Sequence, residues 1–379
     1  MGETQSVEVE IEDEMPDEFN YDGSEKSTMV EPFDPSQIKI HTKQDTLRNL
    51  IERLRHDEID LNTDFQRHAE LWDAGKMSRL IESILIRFPL PAFYFDSSDD
   101  DQWLVVDGLQ RLSSIRRFVL DEKKPLRLCN LEYLTDLQGK TYADLNRTYL
   151  RRIDECSVTY FQILPGTPEE VKYSIFRRIN TGGLVLNNQE IRNALNKPSE
   201  RNFLKTMAQN EYLKKTMGDQ SKRMLDQELA LRFLAFYHLE YPHKGMNIAA
   251  FLDQMMKELR NMREPDRRKL VETFSNAMSR CFQIFGPTAF EKRTEEDADK
   301  RRKRKNTTLF EVWSVSLARL TDKVAAKLIA NRDRIVGRHI RAMTPSGDYY
   351  RAISLATQKR EHVDIRYRTV TEIIKDCSK

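Results

Sequence analysis

Apolar positions along this chain follow two regimes. Between residues 36 and 198, short β-branched or alternating runs take turns with stretches whose apolar side chains recur every three or four positions; beyond residue 199 only the helical period remains. Ile38 and Ile40 suggest a short strand. Residues 46–55 read as a helix with Leu47, Leu50, Ile51 and Leu54 on one face. Residues 76–88 form a second amphipathic pattern that Pro89 stops, and Pro91 introduces a strand over 92–95. A polar, acidic connection (97–101) leads into a second strand (102–106), and a helix over 109–120 opens at Asp107-Gly108. Further on, 157–164 reads as a strand closed by Pro165-Gly166. Residues 168–180 read as a helix that ends at Asn180-Thr181-Gly182-Gly183, where glycine supplies a positive φ. Asn187 followed by Glu190 predicts a capped start for a helix through Leu195.

Helical spacing continues over 224–239, 251–262, 270–285, 309–320 and 323–335. The expected architecture is therefore an α+β domain (36–198) followed by an all-helical domain (199–379). The cationic stretch 292–305 is expected to be a solvated connection.

Charge changes the picture more than composition does. The net charge of +2 conceals an acidic tail: residues 1–35 hold twelve Asp or Glu and one Lys, a net of −11, which leaves +13 on residues 36–379. Such a tail has little to bury and is expected to be disordered. Its role is solubility, or a flap competing with nucleic acid for the basic body. At 379 residues, 39% hydrophobic and 32% charged, the chain is expected to form two soluble domains. It has no apolar run of about eighteen residues. The N-terminus lacks a signal pattern, so a cytoplasmic location and no membrane partner are expected. Cys129, Cys156, Cys281 and Cys377 are widely spaced and are expected to be reduced structural thiols.

The chemistry concentrates in Val105-Val106-Asp107-Gly108-Leu109-Gln110-Arg111-Leu112. A strand-to-helix passage points backbone N–H groups and the positive end of a helix dipole at one spot, a natural seat for phosphate. Gly108 lets backbone approach an anion, Arg111 can offer parallel donors, and Asp107 can hold Mg²⁺ or orient water. A plain Asp-Gly turn with Arg111 on a solvated face is the competing explanation, and the spacing alone leaves both open. Asn180-Thr181-Gly182-Gly183 could add amide donors or simply end a helix. Gln66, Arg67, Lys76 and Arg79 could add polar or cationic groups. No G-x-x-x-x-G-K-[ST], H-E-x-x-H, G-x-S-x-G or zinc-spaced Cys/His pattern occurs. The seven histidines form no His-Asn-His core; His339, the nearest candidate, is expected to be structural or surface.

Taken in order, several segments resemble the N-terminal domain of GmrSD-type modification-dependent restriction systems, within the ParB/sulfiredoxin superfamily. They are Phe65-Gln66-Arg67, Trp72, Lys76, the run 80–85 before Pro89-Leu90-Pro91, the 106–112 motif, Ile175 to Gly183, and Glu190 to Leu195. Residues 226–234 are similar to the helical segment that follows in that family. The resemblance implies an α+β nucleotide-binding fold in which an Asp-Gly-Gln-Gln-Arg motif serves NTP binding and hydrolysis. Asp107 and Arg111 inherit the catalytic roles, with Asp107 on Mg²⁺. Gly108, Gln110, Gln66, Arg67, Asn180, Thr181 and Gly182 inherit nucleotide binding. Leu109 departs from the pattern, which usually has Gln there, and cannot hydrogen-bond a ligand. The family's C-terminal His-Asn-His nuclease has no counterpart here. The implied function is thus a nucleotide-binding protein, an expected NTPase of a prokaryotic restriction or phage-defence system. Its expected partners are DNA and a separate nuclease subunit, and oligomers are allowed. The alternatives are a non-enzymatic DNA-binding adaptor and a metal-dependent nuclease in its own right.

Overall fold

The computed structural model describes residues 11–12, 37–61, 72–179, 187–242, 247–295 and 304–379. The chain divides into two compact units. One runs from 31 to 195; the other runs from 196 to 379 and also contains β1 (Ile11–Glu12). The sequence reading put the limit three residues later.

The first unit is a mixed five-stranded sheet with helices on both faces. Its strands are β2 (Ile40–Thr46), β3 (Ile59–Asp60), β4 (Phe93–Asp96), β5 (Trp103–Asp107) and β6 (Ser157–Ile163), in the order β2-β6-β4-β5-β3. β6 runs antiparallel to β2 and parallel to β4, β4 and β5 form an antiparallel hairpin, and β3 adds a parallel edge. The period of two sends Phe93, Phe95, Val158 and Tyr160 to one face and Tyr94 and Ile163 to the other. The first face is covered by α1 (Leu47–Arg55), α2 (Ala74–Leu85), α3 (Leu109–Val119) and α4 (Arg147–Asp154). The second is covered by α5 (Glu169–Ile179) and α6 (Asn188–Leu195), whose Phe176, Ile191 and Leu195 pack on Val106 and Ile163.

Most expected elements appear with shifted ends. β2 is longer than Ile38 and Ile40 suggested, because β6 pairs it throughout, from Ile40 against Ile163 to Thr46 against Ser157. α2 begins at Ala74, since Asp73 caps it by accepting from the Lys76 amide at 2.8 Å. It ends before Phe88 because Arg87 adopts a left-handed φ of 67°. The predicted cap of α6 is present: Asn187 Oδ1 accepts from Glu190 N (2.8 Å), and Glu190 Oε2 accepts from Asn187 N (2.7 Å). α4 is absent from the sequence expectations although Tyr149, Leu150 and Ile153 share one face and Asn146 caps it by accepting from the Tyr149 amide at 3.0 Å.

Glu82 organises the loop after β5 and α3. Its buried carboxylate accepts from the amides of Glu132 (3.0 Å), Tyr133 (2.7 Å) and Leu134 (2.7 Å). Burial pushes its pKa up, but the three N–H donors outweigh it and the net shift is downward.

The second unit is helical. It contains α7 (Pro198–Ala208), α8 (Glu211–Met217), α9 (Leu225–His238), α10 (Ile248–Asn261) and α11 (Glu264–Phe285). After β7 (Lys305–Asn306), which pairs in parallel with β1, come α12 (Thr307–Ala318), α13 (Asp322–Ala330), α14 (Arg332–Ala342), α15 (Asp348–Ala352) and α16 (Arg360–Ser378). α12 is buried from Thr307 through Leu317 and forms the axis of the core. Its Glu311 meets Arg366 of α16 in a two-oxygen ion pair (2.8 and 2.9 Å), and Arg366 also donates to Thr357 O at 2.6 Å. Arg232 of α9 lies 3.6 Å from the same carboxylate.

Three expectations change here. The single helix expected over 323–335 is two, broken at Asn331, whose φ and ψ of −102° and 27° leave the helical region. Lys305 is not part of a solvated connection. It is fully buried, pairs with Glu291 at 3.1 Å and donates to Pro287 O (2.6 Å) and Ala289 O (2.7 Å). A Lys ammonium saturated by a carboxylate and two carbonyls tolerates burial that a bare charge does not. In the acidic tail, Ile11–Glu12 form strand rather than disordered chain; the rest of 1–35 lies outside the described residues. His339 is a core residue stacked edge-on against Trp313 (5.0 Å) and Phe285 (5.6 Å), and burial pushes its pKa down to about 3. All four cysteines are free thiols. Among the described residues no helix is long and apolar enough to cross a membrane.

Replacing Arg366 with Met leaves Glu311 charged without its closest partner. The expected loss is about 3–5 kcal/mol in urea unfolding, with the second unit melting first. Glu82→Gln is expected to cost about 2 kcal/mol by weakening three charge-assisted bonds. Because the folded-state pKa of Glu82 lies below the unfolded one, its contribution is full above the carboxylate range and is lost as pH falls through the folded value. Urea midpoints of the wild type should therefore fall with acid more steeply than those of Glu82→Gln.

Candidate functional site

The Asp-Gly turn sits where β5 gives way to α3. β5 is irregular just before it: Tyr94 pairs with Asp107 but Phe95 with Val105, so Val106 is an extra residue in the strand. Val105 and Val106 are both buried, on opposite faces of the sheet as the period of two gives, and Asp107 ends the strand. Gly108 then takes φ 100°, and a Cβ there would lie 2.4 Å from Phe93 Cδ1. Conformation and space both demand glycine.

Arg111, one turn into α3, faces back to this corner. Its Nη2 donates to Asp107 Oδ2 (2.8 Å) and to Ala92 O (3.1 Å), its Nη1 donates to Pro91 O, and the guanidinium lies 4.5 Å over the Phe93 ring. The side chain is 11% exposed against 34% for Asp107. Burial draws the Arg111 pKa down, and the Asp107 charge and hydrogen bond oppose that shift. This excludes the competing explanation of a plain turn with Arg111 on a solvated face: its guanidinium is engaged inside the fold. Its terminal nitrogens tie the Pro91-Ala92 segment to Asp107 and the start of α3.

What stays open to a ligand is narrower. Asp107 Oδ1 takes no hydrogen bond among the described residues. Gly108 is the N-cap of α3 and supplies no side-chain acceptor, so the first amides of that helix keep their donor capacity at the positive end of its dipole. Gln110 Oε1 accepts from the Trp72 amide at 3.3 Å. Arg79, by contrast, reaches Glu132 at 4.0 Å, and Lys76 is exposed on α2. Gln66, Arg67, Asn180, Thr181 and Gly182 lie outside the described residues. Among the described residues no group of three His, Cys, Asp or Glu side chains could hold a metal by itself.

Sequence reasoning missed a buried ion pair at the other end of the hairpin. Lys172 of α5 donates to Asp96 Oδ2 (2.8 Å) and Ser98 Oγ (2.6 Å), both carboxylate and ammonium nearly sealed from solvent. The two residues are 76 positions apart, and only the packing of α5 brings them together. A cavity of about 840 Å³ opens beside the C-terminal half of α3, lined by Leu54, Met77, Arg116, Arg117 and Lys123, and does not include Asp107.

Residues 47–197 match the family model for the GmrSD restriction endonuclease N-terminal domain. No match to a curated protein was found. Among solved structures, a Pnob8-like ParB-N domain in a C2221 crystal form is 12% identical, covering 89% of this chain and 98% of that one, with a TM-score of 0.22.

Gly108→Ala is expected to destabilise the first unit by about 2–3 kcal/mol, because the substitution is strained in φ and collides with Phe93. Urea unfolding followed by far-UV circular dichroism checks it.

Proposed function

We propose that this chain, with its GmrSD restriction endonuclease N-terminal domain at 47–197, is a nucleotide-binding component of a restriction or phage-defence system. We further propose that it hydrolyses NTP. The observation that carries the reading is the corner itself: an uncapped α3 N-terminus opening at Gly108, with one carboxylate oxygen of Asp107 held by Arg111 and the other left free.

On this reading the amides at the start of α3 receive phosphate oxygens, and glycine allows their close approach. Asp107 Oδ1 orients the attacking water or holds Mg²⁺. With a single protein carboxylate, the cation fits as a companion of the nucleotide phosphates and solvent rather than in a protein cage. Mg²⁺ held there would supply charge neutralisation on the transferring phosphoryl group. Arg111 acts as a positioning residue that fixes the Asp107 rotamer. Gln66, Arg67, Asn180, Thr181 and Gly182 are proposed to close the site over the nucleotide. The +13 carried by residues 36–379 supports DNA as a partner through its phosphates, with marked salt dependence. A separate nuclease subunit is proposed to supply cutting. The engagement of Arg111 inside the fold favours a second reading, a nucleotide-dependent adaptor that binds without turnover.

Phosphate release and equilibrium binding with each of the four NTPs and Mg²⁺, with and without DNA, test the proposal. The wild type should bind at least one NTP and release phosphate. Asp107→Asn, which keeps an acceptor for Arg111, should retain the fold and binding while losing release at least a hundredfold. Binding without release assigns the adaptor reading. If no NTP binds, both readings fail.

A further inference from the structure

Phe88 and Tyr133 are the two most exposed large hydrophobic or aromatic side chains among the described residues, at 52% and 66%, and they touch each other edge to face with centroids 6.3 Å apart. Each sits on backbone that the fold holds firmly. Phe88 follows Arg87, a non-glycine residue at φ 67°, and the α2 terminus is closed by Phe88 N donating to Ser83 O (2.8 Å) and Arg87 N to Ile84 O (3.0 Å). Arginine at a position that favours glycine sets the direction in which Phe88 leaves the helix. Tyr133 lies on the loop whose three successive amides are bound by the buried Glu82 carboxylate, and that loop follows Asn130, itself at φ 52°. An apolar side chain on such ordered backbone, left in water, is available for a partner at little ordering cost.

The charges around the pair narrow the partner. Arg87 adjoins Phe88 in the chain, Arg79 lies 4.0 Å from Glu132, the neighbour of Tyr133, and Arg152 donates to Leu85 O at 2.9 Å at the end of α2. The exposed guanidinium of Arg87 makes no hydrogen bond or ion pair among the described residues. An aromatic platform with a net positive rim matches a ligand that is flat, π-faced and phosphate-bearing. We propose that Phe88 and Tyr133 stack an unpaired base of a nucleic-acid strand, with Arg87 on the adjoining phosphate. Duplex bases hide their faces, so the surface discriminates single-stranded or extrahelical bases from paired ones. Phe88, Tyr133 and Arg87 make none of the contacts of the Asp107 corner, and the test does not depend on nucleotide binding there.

The experiment uses the full chain and a fluorescein-labelled dT20, read by anisotropy, with a duplex of equal length as comparison. Phe88→Ala and Tyr133→Ala should each weaken dT20 binding about tenfold and leave duplex binding within about twofold. Both side chains are exposed, so the melting temperature should not move. Tyr133→Trp should bind like the wild type and show fluorescence quenching on adding dT20. Arg87→Ala should reduce the salt slope for dT20 by about 0.7. The proposal is overturned if the wild type does not bind dT20, or if the double alanine variant binds it unchanged or loses single strand and duplex equally. A change in association state by sedimentation with oligonucleotide binding intact would assign the pair to a protein contact and equally overturn it.

Discussion

The first unit depends on one buried guanidinium. Arg111 joins the Pro91-Ala92 entry to β4 and the Phe93 ring to Asp107 at the end of β5. A cation this enclosed is stable only because acceptors surround it, and those acceptors are two carbonyls and a carboxylate held at fixed places in the sheet. Gly108 completes the arrangement, since any Cβ there would displace the ring under the guanidinium. The geometry of the candidate site and the integrity of the β4–β5 hairpin are therefore the same thing.

That identity changes how the motif is understood. A short Asp-Gly-x-x-Arg spacing suggests two charged groups offered to one ligand. In the folded protein they face each other, and one carboxylate oxygen and the first helix amides are left unengaged. The arginine holds the other carboxylate oxygen and two backbone carbonyls. Such division of labour, with one charged residue spent on orienting another, suits chemistry that rests on placement and charge neutralisation.

The second unit follows the same logic at a different scale. Its axis, α12, is buried from Thr307 through Leu317 and still carries Glu311, which Arg366 and Arg232 neutralise from two other helices. Lys305 and Glu291 make a second sealed pair close to the start of that helix. Charged residues that are surface-like by composition thus specify which helices meet.

Read alone, the sequence determined the helices with strong apolar periodicity, the hairpin with its acidic connection, the α6 capping box and the Asp-Gly strand-to-helix corner. These are local: period, cap and turn chemistry operate within a few residues, so a linear reading can find them. Tertiary structure alone decided the pairing of β2 along its full length, the break at Asn331, the burial of Lys305, the Asp96–Lys172 pair and the capture of Arg111 by the Pro91 and Ala92 carbonyls. Each of these turns on the burial and partners of a charged or polar group, or on a strand partner more than a hundred residues away. Sequence spacing carries no record of which distant backbone oxygen a guanidinium will meet, because that is set by how sheet and helices pack.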